Sequence, residues 1–126
     1  MSMRTPLGDV RGLGSAKDGT SHFWRQRLTA VANVPLTLFL VYAIITHIGA
    51  SFEEMRAFLG QPVVALMFLA LILSGTFHMK LGMQVIIEDY IHVENRKIIC
   101  MLLNVFFSTG VGLAAVFAVL KIGFGG

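Results

Sequence analysis

Three long stretches of this chain carry no charge: Leu28 to Phe52, Ala57 to Met79 and Ile98 to Leu120. Each exceeds the roughly 20 apolar residues that a helix needs to cross a bilayer. The runs are continuous, whereas membrane strands alternate over segments of about 10 residues, so helices are the reading. The pattern predicts an all-α membrane protein with three transmembrane helices over about residues 26–49, 61–91 and 97–122. Residues 22–126 would form this anchor, preceded by a flexible polar arm over residues 1–21. The connections are too short for a soluble domain. A chain of this size is expected to work as one part of a larger assembly.

Within this frame a few polar positions stand out. Pro35 falls inside the first span and removes one helical hydrogen bond. Asn33 could supply a bond there, to its own backbone or to a partner helix. Gln61-Pro62 suits the first turn of the second helix, which would run to about Tyr90 or His92. At 1.5 Å per residue that helix approaches roughly 45 Å, longer than the hydrocarbon is thick. Ser108 and Gly112 in the third span form a small-xxx-small pair, which lets another helix come close.

Composition adds to this in two ways. Only 13% of the 126 residues are charged, against about a quarter in soluble domains, and mean hydropathy is +0.76. The charges also sit asymmetrically. Arg4, Arg11, Lys17, Arg25 and Arg27 precede the first span, and Arg96 and Lys97 separate the second from the third. Only Arg56 and Lys121 fall on the other side, with Lys80 inside the second helix. Short loops rich in Lys and Arg stay in the cytoplasm, so the N-terminus is expected to be cytoplasmic and the C-terminus outside. These cations flank spans and do not gather on one exposed face, which argues against a nucleic-acid partner. The first residues lack an apolar core, so they do not read as a cleaved signal. Cys100 stands alone, leaving no disulfide framework and no c-type haem motif.

The second helix carries the chemistry. Ionisable groups inside a span are expensive and mark candidate sites. On a wheel of about 100° per residue, Gly75, His78, Gly82 and Asp89 share an arc of about 60°. His78 is thus flanked by glycines on its own face, where something broad can lie against the backbone. A flat macrocycle held through the imidazole fits, since imidazole ligates haem iron well. The alternative is a histidine hydrogen-bonded to another helix. His47 is the other span histidine, and helical rise sets it roughly 10 Å from His78 in depth, too far for both faces of one iron. It reads as an interfacial residue. His22 and His92 read as solvated. Asp89 and Tyr90 end the helix at the inner surface. The phenol can donate to a carbonyl and the carboxylate can relay a proton, as an apolar, proton-taking substrate needs. The alternative is an aromatic belt beside a solvated acid. Arg27 enters the first span at the same side. It can pair with a carboxylate such as a haem propionate, or it serves as a positive-inside marker. Lys80 falls on the face opposite His78. It snorkels, or pairs with a partner or an anionic head group.

His78 followed by Asp89-Tyr90, with Gly82 and Gln84-Val85 between, resembles the second helix of the small hydrophobic membrane anchors (cytochrome b small subunits) of succinate dehydrogenase, complex II. Arg27-Leu28-Thr29-Ala30 resembles the entry to that family's first helix. The resemblance spans about residues 22–120. It implies a non-catalytic anchor subunit of an enzyme that joins the tricarboxylic acid cycle to electron transport. The implied partners are a second three-helix membrane anchor subunit, the iron–sulfur subunit, the flavoprotein subunit and the lipid bilayer. It implies His78 as one axial ligand of a single haem b shared with that second anchor, with Gly75 and Gly82 packing on it and Arg27 near a propionate. It implies Tyr90 as a ubiquinone contact, with Asp89 beside it. The expected location is a bacterial cytoplasmic membrane, with a mitochondrial inner membrane as the alternative. A fumarate reductase anchor would share this architecture, and a haem-free scaffold would use the polar residues for packing alone.

Overall fold

The computed structural model describes residues 5–12 and 19–124. Five helices occur among them: α1 (Pro6–Val10), α2 (Gly19–Thr46), α3 (Phe52–Leu59), α4 (Pro62–Tyr90) and α5 (Glu94–Gly123). α2, α4 and α5 are the three helices long and apolar enough to span a bilayer. Their near-continuous apolar runs bury little inside the chain itself. Only Ala43, Val64, Leu81 and Ile87 are buried hydrophobic residues among those described. Such helices are solvated by lipid and by neighbouring subunits rather than by a core of their own.

α4 is the centre of the arrangement. It packs against α2 on one side and α5 on the other, while α2 and α5 make no close backbone approach to each other. The three spans therefore form a single layer, not a closed bundle. The α4–α5 seam is close because α5 turns Asn104, Ser108 and Gly112 inward, all buried and one turn apart. Asn104 Nδ2 donates to the Lys80 carbonyl at 2.9 Å, and Ser108 Oγ donates to Asn104 Oδ1 at 3.3 Å. A Cβ on Gly112 would lie 3.3 Å from Thr76 Oγ1. Gly112→Leu should force α5 away from α4. Overpacking of this kind costs about 1–3 kcal/mol, to be read as a lower midpoint of thermal unfolding in detergent, with Gly110→Leu, which meets no neighbour, as the control.

At its N-terminal end α2 extends beyond the span read from the sequence. α2 begins at Gly19, about two turns before the expected start near residue 26. His22, Phe23 and Trp24 are helical, because nothing between Gly19 and Arg27 breaks a helix and α4 extends far enough to support this end. His22 is half-buried with its Nε2 buried and unpartnered, where solvation was expected. Of the arm over residues 1–21, positions 1–4 and 13–18 lie outside the described residues. α2 runs through Pro35 without interruption, and Asn33 Oδ1 beside it is buried without a partner.

The first connection is also more ordered than a plain loop. Ser51 caps α3 and Glu54 returns the bond: Glu54 N–H donates to Ser51 Oγ at 3.3 Å, and Ser51 N–H donates to Glu54 Oε2 at 2.7 Å. This is a capping box, visible in the Ser-x-x-Glu spacing. The backbone and side-chain bonds from Ser51 hold the Glu54 carboxyl below its ordinary 4.5. A depressed carboxylate contributes stability above the unfolded value and loses it as pH falls through the folded value. α3 should therefore lose helicity on acidification below about pH 4.5, and Glu54→Gln should flatten that dependence in a circular dichroism titration.

Candidate functional site

α2 presents a polar stripe to α4. His22, Gln26, Thr29 and Asn33 follow i, i+4, i+7, i+11 spacing and share an arc of about 60°. α4 answers with Ser74, His78 and Gly82, one turn apart. Ser74 Oγ lies 3.4 Å from the Thr29 carbonyl, and the Gln26 amide lies against Gly82.

His78 is half-buried at the middle of this seam. Its Nδ1 is 3.0 Å from Thr29 Oγ1. That hydroxyl is also 2.9 Å from the Arg25 carbonyl and 3.0 Å from the Gln26 carbonyl. A hydroxyl has one proton, and it goes to a backbone carbonyl of its own helix. In the tautomer protonated at Nδ1, Thr29 Oγ1 accepts and His78 Nδ1–H donates. The imidazole then holds its lone pair on Nε2, the arrangement of a metal-ligating histidine whose other nitrogen is fixed by a hydrogen bond. The Gln26 amide nitrogen lies 3.5 Å from Nε2.

The surroundings test whether a macrocycle fits. A cavity of about 430 Å³ opens beside His78, lined by Ala30, Asn33, Val34, Thr37 and Leu38 of α2. A Cβ on Gly75 would meet nothing within 4 Å, so the backbone there is open. Gly82 differs, since Gln26 Nε2 lies 3.3 Å from where its Cβ would be. Gln26 covers the space that the glycine spacing had reserved, and its Oε1 is buried without a partner, as is Asn33 Oδ1. The donor set and the open face at Gly75 fit a haem, once Gln26 turns aside.

Antiparallel helices of one hand place side chains predictably. Counting about 100° per residue from the α2–α4 contact, Arg27, Ala30 and Val34 of α2 share one face of the layer with Gly75, Met79, Met83 and Tyr90 of α4. The cavities agree. On the same face an apolar groove of about 650 Å³ runs between α4 and α5 past Met79, Met83, Leu103 and Phe107 to Tyr90. A second cavity of about 490 Å³ adjoins it, lined by Tyr90, His92, Arg96 and Cys100. Tyr90 stands at their junction, 78% exposed. His78 lies 12 residues earlier on α4, about 18 Å along the axis. The histidine and the tyrosine thus define two places on one face.

The remaining candidates are separate. Arg27 is exposed, with its guanidinium 4.7 Å above the Phe23 ring and no bond to His78. The Asp89 carboxylate is exposed and makes no hydrogen bond or ion pair among the described residues. Glu88 accepts from Gln84 Nε2 at 2.9 Å, and its carbonyl accepts from Lys97 Nζ at 3.1 Å. Lys80 lies across the layer from the site, beside Thr76, Ser108 and Thr109. His47 closes the far end of α2, its ring 4.0 Å from that of Phe58 and its Nδ1 2.9 Å from the Ala43 carbonyl. Because His78 sits level with Thr29, its separation from His47 is about 25 Å by helical rise, larger than the expected 10 Å. The longer N-terminal end of α2 accounts for the change. Among the described residues no three His, Cys, Asp or Glu groups gather to hold a metal ion. A second ligand for His78 would come from another chain.

Sequence reasoning missed Gln26 and Thr29. The signal was present in the 22, 26, 29, 33 spacing, but it lay under a run read as the edge of the span.

The fold and site together define a three-span membrane protein with an intramembrane histidine on a face that its own helices leave open. The comparisons with known proteins then identify the family. The succinate dehydrogenase/fumarate reductase transmembrane subunit model matches residues 1–118. The chain is 35% identical over 121 residues to the succinate dehydrogenase hydrophobic membrane anchor subunit of Paracoccus denitrificans, covering 96% of this chain and 93% of that one. It is 31% identical over 94 residues to the protein of that name from Rickettsia bellii, covering 75% of each. The succinate dehydrogenase membrane anchor subunit of Reclinomonas americana is 29% identical over 92 residues, covering 69% of this chain and 75% of that one. No solved structure matches. The chain belongs to the succinate dehydrogenase/fumarate reductase transmembrane subunit family. It is a membrane anchor subunit, non-catalytic by itself. Three apolar helices and the bacterial relatives agree with a bacterial inner membrane.

Proposed function

We propose that this chain anchors a succinate:ubiquinone oxidoreductase and supplies half of two sites on one face of its helical layer. His78 would hold a haem b through its imidazole, together with a ligand from a second anchor subunit packed on that face. The observation that supports this reading is the Thr29–His78 contact, which engages Nδ1 and leaves Nε2 with the Gln26 amide at 3.5 Å, in a residue that borders a cavity. Gly75 lets the macrocycle lie against α4, and Gly82 does so when Gln26 moves. Arg27, on the same face, is the cation available to a propionate. When bound, the haem supplies a one-electron redox centre between the helices.

Tyr90 and Asp89 serve the quinone at the cytoplasmic surface. The groove leading to Tyr90 is lined almost wholly by apolar side chains, which suits a substrate delivered from the lipid. The phenol donates to a quinone carbonyl and so orients the ring. Asp89, exposed and unpaired at the helix end, is free to pass protons from water as the quinone is reduced. Electrons originate in the flavoprotein and iron–sulfur subunits, which this layer and its partner anchor hold at the membrane.

The test is a reduced-minus-oxidised absorbance spectrum of the complex purified through a tag on this chain. One b-type haem per chain, co-purifying with succinate dehydrogenase activity, is the expected result. A complex that oxidises succinate but carries no haem would reduce the chain to a haem-free anchor.

A further inference from the structure

We infer that Thr29 is a positioning residue for the redox site: its hydroxyl accepts from His78 Nδ1–H, selects the tautomer that frees Nε2, and thereby sets the haem's reduction potential. This rests on the reading of His78 as a haem ligand.

The geometry is specific. Thr29 Oγ1 is 3.0 Å from His78 Nδ1, across a helix–helix contact between residues 49 apart in sequence. Its oxygen also lies 2.9 and 3.0 Å from the carbonyls of Arg25 and Gln26, which take its proton in the tautomer protonated at His78 Nδ1. The hydroxyl can turn between those two carbonyls and remain an acceptor towards the imidazole in either position. Ser74, one turn from His78 on α4, lies 3.4 Å from the Thr29 carbonyl, so the seam is tied at two points. The threonine methyl restricts χ1 and keeps the oxygen aimed.

The consequence is electronic as well as steric. An imidazole that donates from Nδ1 to an acceptor gains anionic character and becomes a more basic ligand through Nε2. A more basic axial ligand favours the oxidised iron over the reduced one, so the hydrogen bond holds the potential down. A threonine used only for helix packing would have no such effect, since valine fills the same volume.

The experiment uses the purified complex and reads the haem's midpoint potential by spectroscopic titration, with its electron paramagnetic resonance g-values as a second signature. Thr29→Val should raise the potential and shift the g-values, while Thr29→Ser restores both. His78→Ala is measured alongside. Loss of the haem signal in His78→Ala, with an unmoved potential in Thr29→Val, would overturn the inference while leaving the haem reading intact. Equal shifts in Thr29→Val and Thr29→Ser would overturn it too, since packing alone would then explain them. A haem signal unchanged in His78→Ala would overturn the underlying reading. Should Thr29→Val fail to assemble, Thr29→Cys places a weaker acceptor in a similar volume. An upward shift there supports the inference, and an unmoved potential rejects it.

Discussion

Replacing His78 with alanine in the assembled complex is expected to abolish the low-spin b-type absorbance band. No other histidine of the chain can take its place. His47 lies about 25 Å away by helical rise and is held by the Ala43 carbonyl and the Phe58 ring. His22 lies two turns before Thr29 on α2, with its Nε2 buried. His92 lies beyond the end of α4. A haem held by the partner alone would show a displaced band or be lost altogether. His47→Ala is the control and should leave the band unchanged. An identical spectrum in His78→Ala would remove this residue from the site and return it to the alternative of a histidine that serves helix packing through Thr29. The size of the effect follows from the placement of the histidines: among the described residues no other histidine lies at the depth of His78.

The three spans were legible in the sequence because lipid imposes a composition rule that needs no tertiary information. Charge-free runs longer than a bilayer is thick read directly as helices. The boundaries were less legible. α2 begins earlier than the run of apolar residues, since Ser21, His22 and Gln26 look like a solvated approach until α4 is seen to extend alongside them. The site was legible where one helix carried it. The grouping of Gly75, His78 and Gly82 comes from a single wheel. It became illegible where two helices meet. Nothing in the sequence pairs Thr29 with His78, or shows that Gln26 lies over Gly82. Those contacts depend on the relative rotation of α2 and α4, which small residues permit without specifying. Lys80 is a related case. The wheel put it opposite His78, and the structure puts α5 on that side, so the cation stands clear of the proposed haem face.

Tyr90→Phe should lower succinate-driven ubiquinone reduction about tenfold while leaving succinate oxidation by a water-soluble dye unchanged. The substitution keeps the ring at the junction of the two cavities and removes only the hydroxyl. A neutral hydrogen bond contributes about 0.5–1.5 kcal/mol net, and 1.4 kcal/mol corresponds to tenfold. The dye draws electrons before they reach the quinone, so an unchanged dye rate shows that the other subunits are assembled and intact. Asp89→Asn should act differently, since the acid has no bond among the described residues and its proposed part is in proton delivery. Its effect should grow with rising pH, where protons are scarce, whereas that of Tyr90→Phe should not. A Tyr90→Phe complex that reduces ubiquinone at the wild-type rate would leave Tyr90 as a membrane-surface aromatic beside an apolar groove. The quinone would then have to be bound by groups of the partner subunits alone.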